Sequence, residues 1–340
     1  MAFFKKVACF TDIHFGMKGN SRIHNDDCEA FVKWFIEQAK AEGCETCIFL
    51  GDWHHHRSAT NVSTMNYTVS NMERLGAAFE KVYVIMGNHD LYYREKREIN
   101  SMEYIRNIPN IHIVNEWLVE DDVAILPWIV EDEYKKIQKM TQKYVFGHFE
   151  LPYFKMNAMV EMPDVGGIQT DHFAGCGKVF SGHFHKRQLM KNVTYMGNAF
   201  PHNYADAWDD DRGMMVLEYG GEPKYINWPD MPRYITIKIS ELLEDPDKYL
   251  KAKMYVRVTL DIKISYEEAN FVRETFIDKY SLRELQLIPE QVDNAQQPTV
   301  EVQKFDSVDQ IVIKQLQGVD SETYDKNILT AIYNDLDVTN

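Results

Sequence analysis

The 340-residue chain lacks any window approaching the ~20 consecutive apolar residues that a membrane-spanning helix requires. An export leader is not expected either: the apolar stretch after Met1-Ala2-Phe3-Phe4-Lys5-Lys6 is stopped by Thr11 and Asp12. Cysteine is scarce, with five residues at scattered positions, an odd number that suits reduced thiols better than a disulfide framework. Internal repeats and extended low-complexity segments are missing. Positive charge is in deficit: 37 Lys and Arg against 52 Asp and Glu give a formal net charge of −15. Bulk attraction to nucleic acid is thereby excluded, and any contact with phosphate must come from local features. Together these absences predict a soluble cytoplasmic protein. What is present supports ordinary globular folding, since 45% hydrophobic and 13% aromatic residues can bury a sizeable core. The length suits a large α/β domain plus something smaller.

Short apolar runs rich in Val, Ile and Phe alternate with longer amphipathic stretches, which predicts β and α elements around a central sheet. Expected strands are Val7–Phe10, Thr46–Leu50, Val82–Met86, Tyr144–Phe146 and Val179–Ser181, with helices in Asp26–Glu42 and Val62–Phe79. Beyond Trp228 the texture changes at Pro229 and Pro232. New alternating strands follow, Tyr234–Ile239 and Met254–Ile264, then a helical stretch, Tyr266–Tyr280. The expected domains are residues 1–230, a smaller α+β capping and DNA-binding domain over 231–291, and a linker with a helical segment over 292–340. That last part contains a Gln- and Pro-containing connector, Val292–Pro298, and two amphipathic stretches, Val308–Leu316 and Tyr324–Leu336.

Chemistry-bearing residues collect where the strands end. Asp12-Ile13-His14 follows the first, Gly51-Asp52 the second and Gly87-Asn88-His89-Asp90 the third, with Gly147-His148 and Gly182-His183-Phe184-His185 later. The carboxyl edge of an open α/β sheet is where ligands gather, because strands hold the backbone rigid while the loops after them carry polar groups. Glycine beside four of these motifs lets backbone approach a crowded centre without a Cβ. Carboxylate, amide oxygen and imidazole together suit a pair of divalent ions such as Mn2+, Fe2+ or Zn2+, and the shortage of thiolates argues against a structural zinc cage. Two ions about 3.5–4 Å apart can polarise a phosphoryl group and activate water for in-line displacement. Asp52, alone after its glycine, is the natural bridge between them, which leaves His89 free to protonate a leaving group or bind phosphate.

This ordered series resembles the calcineurin-like metallophosphoesterase superfamily over Asp12 to His185. The resemblance implies an α/β fold, a β-sandwich flanked by helices, with a smaller α+β capping domain and a C-terminal helical tail. It implies one metal held by Asp12, His14, Asp52 and His185, and a second held by Asp52, Asn88, His148 and His183. Within the superfamily, Asp12-Ile13-His14-Phe15-Gly16 followed by Arg22 and Asp26 is similar to the SbcD-type double-strand-break-repair nucleases. Gly51-Asp52-Trp53-His54-His55 places His55 where that branch carries a second catalytic histidine beside His89. The short chain and divergent tail look most like the recombination endonuclease subunits of phages. Tyr195-Met196-Gly197-Asn198 departs mildly from the branch, which usually has Gly-Ser there. What the resemblance further implies is a Mn2+-preferring DNA nuclease, with Mg2+ also possible, acting as a homodimer with a coiled-coil ABC-type ATPase docked on the C-terminal segment. The helices after Asp52 and after Asp90 are the expected dimer contacts.

Independently of the family, basic residues follow nearly every motif: Lys18, Arg22, Arg57, Arg94, Lys96, Arg97, Lys155, Lys186 and Arg187. They are expected to form a positive rim that holds phosphates flanking the scissile one. Plainer readings apply elsewhere. His112 and His172 are ordinary surface or core histidines, His54 and His56 belong to a solvated loop, and Cys44 and Cys47 are buried. Asp206, Asp209, Asp210 and Asp211 form an exposed acidic loop. Two other functions compete with the nuclease. A phosphatase or small-substrate phosphodiesterase is disfavoured, because His55-His56-Arg57 and Gly87-Asn88-His89-Asp90 stand where protein phosphatases usually show Asp-Arg-Gly and Gly-Asn-His-Glu. A non-catalytic scaffold would lack ligands, and none is missing.

Overall fold

The computed structural model describes residues 2–156 and 160–289. In chain order its strands are β1 Lys6–Phe10, β2 Thr46–Phe49, β3 Lys81–Ile85, β4 Ile111–Val114, β5 Leu118–Glu120, β6 Val123–Leu126, β7 Tyr144–His148, β8 Lys178–Gly182, β9 Gln188–Met190, β10 Val193–Tyr195, β11 Gly213–Glu218, β12 Lys224–Asn227, β13 Tyr234–Lys238, β14 Tyr255–Leu260 and β15 Glu284–Pro289. Its three long helices are α1 Arg22–Ala41, α2 Val62–Ala78 and α3 Tyr266–Tyr280.

Two six-stranded sheets, ordered β12-β11-β1-β2-β3-β4 and β5-β6-β7-β8-β10-β9, replace the single central sheet that periodicity predicts. The layering follows from side-chain alternation along each strand. Val7 and Cys9 of β1, with Ile48 and Ile85, face Val123, Ile125, Tyr144, Phe146 and Phe180 of the second sheet. Ala8 and Phe10 point the other way, onto Phe31 and Phe35 of α1 and Met72 and Leu75 of α2. A third apolar layer covers the outer face of the second sheet, where Leu126, Val145 and Val179 meet Phe149, Leu151 and Phe173. Strands buried on both faces read as continuous apolar runs, as parallel strands do. Helix α1 starts earlier than Asp26 because the Ser21 side chain accepts the His24 amide and caps it.

Strands β1 to β4 run parallel, as do β6, β7, β8 and β10. The carboxyl ends of β1, β2, β3, β7 and β8 therefore carry the motif residues of both sheets. After Asp90 the chain forms only a short 3-10 turn, Glu103–Ile105, where a helix was expected for dimer contact.

Strands β13, β14 and β15 form a parallel three-stranded sheet with α3 crossing from β14 to β15, and the three sheets belong to one compact unit. Two contacts tie this cap to α1 and its preceding loop. The Arg283 guanidinium grips the Asp27 carboxylate bidentately, and Lys18 bonds the Tyr234 hydroxyl with its ammonium 4.2 Å from the centre of the Tyr255 ring. The connector Val292–Pro298 and the amphipathic stretches Val308–Leu316 and Tyr324–Leu336 lie outside the described residues.

Both partners of the Arg283 pair are largely shielded from water, which makes this link stronger than a surface ion pair. Arg283→Ala and Asp27→Ala are each expected to lower unfolding free energy in urea by about 2 kcal/mol, the scale of a hydrogen bond to a charged group. The double variant should lose less than the sum, with a coupling above about 0.5 kcal/mol. Strict additivity would show that the cap is held elsewhere.

Candidate metal centre

The turns leaving the strands are tight. Asp12, His14, Asp52 and His183 take left-handed backbone φ of 50°, 52°, 62° and 92°. Such conformations cost on the order of 1–3 kcal/mol each and persist only where neighbours over-determine them. At Asp52, Asp90 supplies much of that constraint. Its buried carboxylate accepts the amides of Asp52 (2.8 Å), Gly87 (3.0 Å), Trp53 (3.0 Å) and His54 (3.1 Å). Burial and the neighbouring Asp52 charge push the Asp90 carboxyl up to about 7, even against amides that favour its ionised form. Glycine is needed for close approach at two points. A Cβ on Gly51, whose φ is 99°, would stand 2.5 Å from His148 Nδ1, and a Cβ on Gly87 would overlap the Asp52 carboxylate.

Within this frame the metal-capable side chains converge. Ligand atoms of Asp12, His14 and Asp52 lie within 4.8 Å of one another, and so do those of Asp52, His148 and His183. Asp52 belongs to both groups. Asn88 Oδ1 joins the second, 3.1 Å from His148 Nε2 and 2.9 Å from His183 Nδ1. His185 comes together with His14 and His202, and His55 and His89 come together with His14.

Hydrogen bonds settle which ring nitrogens face inward. His148 Nδ1 lies 2.7 Å from the Leu50 carbonyl and donates to it, so Nε2 is the nitrogen that faces Asp52 Oδ2 at 3.3 Å, where it donates to the carboxylate and would be the atom to give up its proton to a cation. His183 Nε2 lies 3.3 Å from Glu150, itself clamped by Arg94 at 2.6 and 2.7 Å. His89 Nδ1 lies 2.7 Å from the His55 carbonyl. Burial opposes ionisation of Asp52, but His148, His89 and His14 hold its carboxyl well below the usual range. Burial likewise disfavours a charged His148, yet the Asp52 charge pushes it up to about 9. His14 is buried with neither ring nitrogen bonded to any protein atom. Converging lone pairs, a doubly shared carboxylate and an unpartnered buried imidazole are the donor set that a pair of divalent cations fits.

The expected basic rim is only partly assembled. Arg97 is a correction: it is buried, paired with Glu133 at 2.6 Å and bonded to the Asn115 and Trp128 carbonyls, so it cannot face a substrate. Arg94 supports Glu150 and stacks over Trp128, Arg187 lies over Tyr225 and bonds Asn227, and Lys186 is 3.7 Å from Asp209. Lys18 reaches into the cap. Lys96 and Lys155 are exposed, Arg57 is half-exposed, and Arg22 makes only a solvent-exposed pair with Asp26.

The acidic loop is also corrected, since Asp206 is buried, pairs with the buried Arg212 and accepts the His202 amide at 2.9 Å. His54 belongs to the core, bonded to Ser101 and Thr68. Sequence reasoning passed over Glu150, His202 and the structural role of Asp90. Glu150 had a signal, standing two residues beyond His148, while His202 is a lone histidine with none.

Gly87→Ala is expected to weaken Mn2+ binding at least about tenfold, since displacing a ligand's supports has that effect. Isothermal titration would measure it, with circular dichroism confirming the fold, and a folded variant with unchanged affinity would show that Asp52 is not constrained from this side.

Residues 5–187 match the model of the calcineurin-like phosphoesterase family. The chain is 24% identical over 321 residues to "Exonuclease subunit 1" of Enterobacteria phage T4, covering 89% of this chain and 90% of that protein. Among solved structures, similarity extends to the Pseudomonas putida nuclease MPE, at 16% identity and a TM-score of 0.31 over 63% of this chain and 84% of that one. It extends also to a dimetal phosphatase from Danio rerio, at 10% identity and a TM-score of 0.40 over 63% and 92%. With its motif residues gathered on one edge and more than half of its length matched, the chain belongs to the calcineurin-like phosphoesterase family.

Proposed function

We propose that this protein is a metal-dependent DNA nuclease, the hydrolytic subunit of a recombination or repair complex in the cytoplasm. The observation that carries the reading is the shared position of Asp52, common to an Asp12–His14 group and a His148–His183 group. Asp12, His14, Asp52 and His185 would hold one ion, and Asp52, Asn88, His148 and His183 the other, with Mn2+ preferred over Mg2+, Fe2+ or Zn2+. When bound, such a pair supplies Lewis-acid polarisation of a phosphoryl group and acidifies water.

The chain's own residues do the rest. His89, oriented through the His55 carbonyl, presents Nε2 to the cluster and can protonate the departing oxygen or bind a phosphate oxygen. His55, its ring stacked on His89 with centroids 5.5 Å apart, is pushed down to about 4 by burial and so stays neutral at pH 7. Glu150 and Arg94 hold His183 in place. Support for DNA over a small phosphate ester comes from the similarity to an exonuclease subunit over 89% of the chain, from the exposed cations Arg22, Lys96 and Lys155, and from the half-exposed Arg57. The ABC-type ATPase partner and the homodimer rest on family resemblance.

Labelled linear and single-stranded DNA should be cleaved with Mn2+ and left intact with chelator. His89→Ala should lower kcat by about 10²–10⁴, the usual contribution of a positioned general acid, and Asn88→Ala should also lose activity. Turnover of a generic phosphate monoester without DNA cleavage, even with a candidate ATPase added, would refute the nuclease reading and retain the metal centre. Replacing Arg57, Lys96 and Lys155 by glutamine should reduce the slope of log K against log salt by about 0.7–0.9 per lost phosphate contact. An unchanged slope would remove these three from the DNA interface.

A further inference from the structure

His202 lies in the loop after β10, beyond Gly197 and Asn198, and no family motif singles it out. It is completely buried, and neither of its ring nitrogens has a hydrogen-bond partner among protein atoms. A buried imidazole kept for packing alone normally satisfies its nitrogens, because leaving one bare costs about 1–3 kcal/mol. His54 shows the difference: equally buried, it engages both Ser101 and Thr68. The bare nitrogens of His202 are also aimed. One lies within 4.8 Å of ligand-capable nitrogens of both His14 and His185, and its ring centroid is 5.4 Å from each of theirs.

The loop is fastened so as to keep it there. The Asn198 amide donates to the His185 carbonyl at 3.1 Å, and the His202 amide donates to Asp206, which Arg212 holds from beneath. Phe200 and His24 pack edge-on against the ring.

We propose that His202 is a further ligand of the ion on the Asp12–His14–Asp52–His185 side, an inference that rests on the two-metal reading above. Three imidazoles, His14, His185 and His202, then meet the carboxylates there. Imidazole suits borderline ions such as Fe2+, Co2+ or Zn2+ better than the hard Mg2+. The residue therefore shifts that position away from Mg2+ and toward borderline metals, while the Asn88-containing position is untouched.

The test is metal binding rather than turnover. Equilibrium dialysis and titration with Co2+, Zn2+ and Mg2+, with the visible spectrum of Co2+ recorded, would compare wild type, His202→Phe, His202→Gln and Asn88→Ala. Phenylalanine fills the same apolar space without ring nitrogens, and glutamine serves if it disturbs folding. Wild type should bind two Co2+ ions. Either folded His202 variant should bind one of them at least about tenfold more weakly, with an altered Co2+ spectrum and a smaller preference for Zn2+ over Mg2+, whereas Asn88→Ala should weaken the other. Two ions bound by a folded His202 variant with unchanged affinity and spectrum would overturn the inference alone. A wild-type protein that binds no ion would overturn the metal centre and the inference with it.

Discussion

The Asp52 carboxylate is almost wholly removed from water, 2% exposed, yet it must carry charge. A buried ion without compensation costs several kcal/mol, and the donors and imidazoles around Asp52 compensate it. The His89 amide donates to it at 2.8 Å, and His148 approaches at 3.3 Å. Its own amide is held by Asp90, and its left-handed backbone depends on that hold. His148 belongs to β7 in the second sheet while Asp52 follows β2 in the first. The contact between them therefore joins the two halves of the sandwich at their carboxyl edges. Packing of the sheets and electrostatics of the centre are one constraint, because neither sheet can shift without stretching the Asp52–His148 approach.

Charge elsewhere obeys the same logic. In a chain with 15 more acidic than basic groups, several cations near the motifs are engaged by acidic partners of the chain itself. Arg97 answers Glu133, Arg212 answers Asp206, and Arg94 answers Glu150. Each pair fixes a loop beside the centre. On the proposed reading, a polyanionic substrate then meets a few exposed cations and the ions themselves, so its attraction is local to the cleavage point. An acidic surface around such a spot disfavours indiscriminate adhesion along DNA.

Much of the frame was legible in the sequence because fully buried parallel strands announce themselves as apolar runs and their ends carry short polar motifs. β1, β2, β3, β7 and β8 fall within a residue or two of the expected runs, as do α2, α3 and β13, while β14 starts one residue late and ends four residues short of its run. The sandwich itself agrees with the β-sandwich that the family resemblance implies, but periodicity points only to one sheet, because it reports burial and not which face meets which layer; the division shows where Val7 and Ala8 face different cores. β4, β5, β9, β10 and β12 were illegible. They are three or four residues long, and several carry exposed polar residues, as in Lys224–Asn227. The basic rim failed in part for a different reason: adjacency in sequence does not distinguish Lys96, exposed, from Arg97, buried one residue later.

His54, His55 and His202 show most sharply what local sequence withholds. Two neighbours in one motif have opposite fates, His54 absorbed by Ser101 and Thr68 in the core and His55 turned with His89 toward the cluster. His202, far along the chain and outside every motif, reaches the same cluster because Asp206 and Arg212 anchor its loop. Function at such a centre depends on whether a buried polar atom is satisfied, and satisfaction is a property of the assembled neighbourhood. The strained turns are held before any ion arrives: Asp90 grips the amide of Asp52, the Asp12 and His14 amides donate to the Gly51 and Asp52 carbonyls, and the His183 amide donates to the Asp12 carboxylate. An ion entering such a site does not have to order its ligands, so its binding energy is not offset by conformational entropy. The rigidity that makes the motifs recognisable is thus also what makes the centre able to bind.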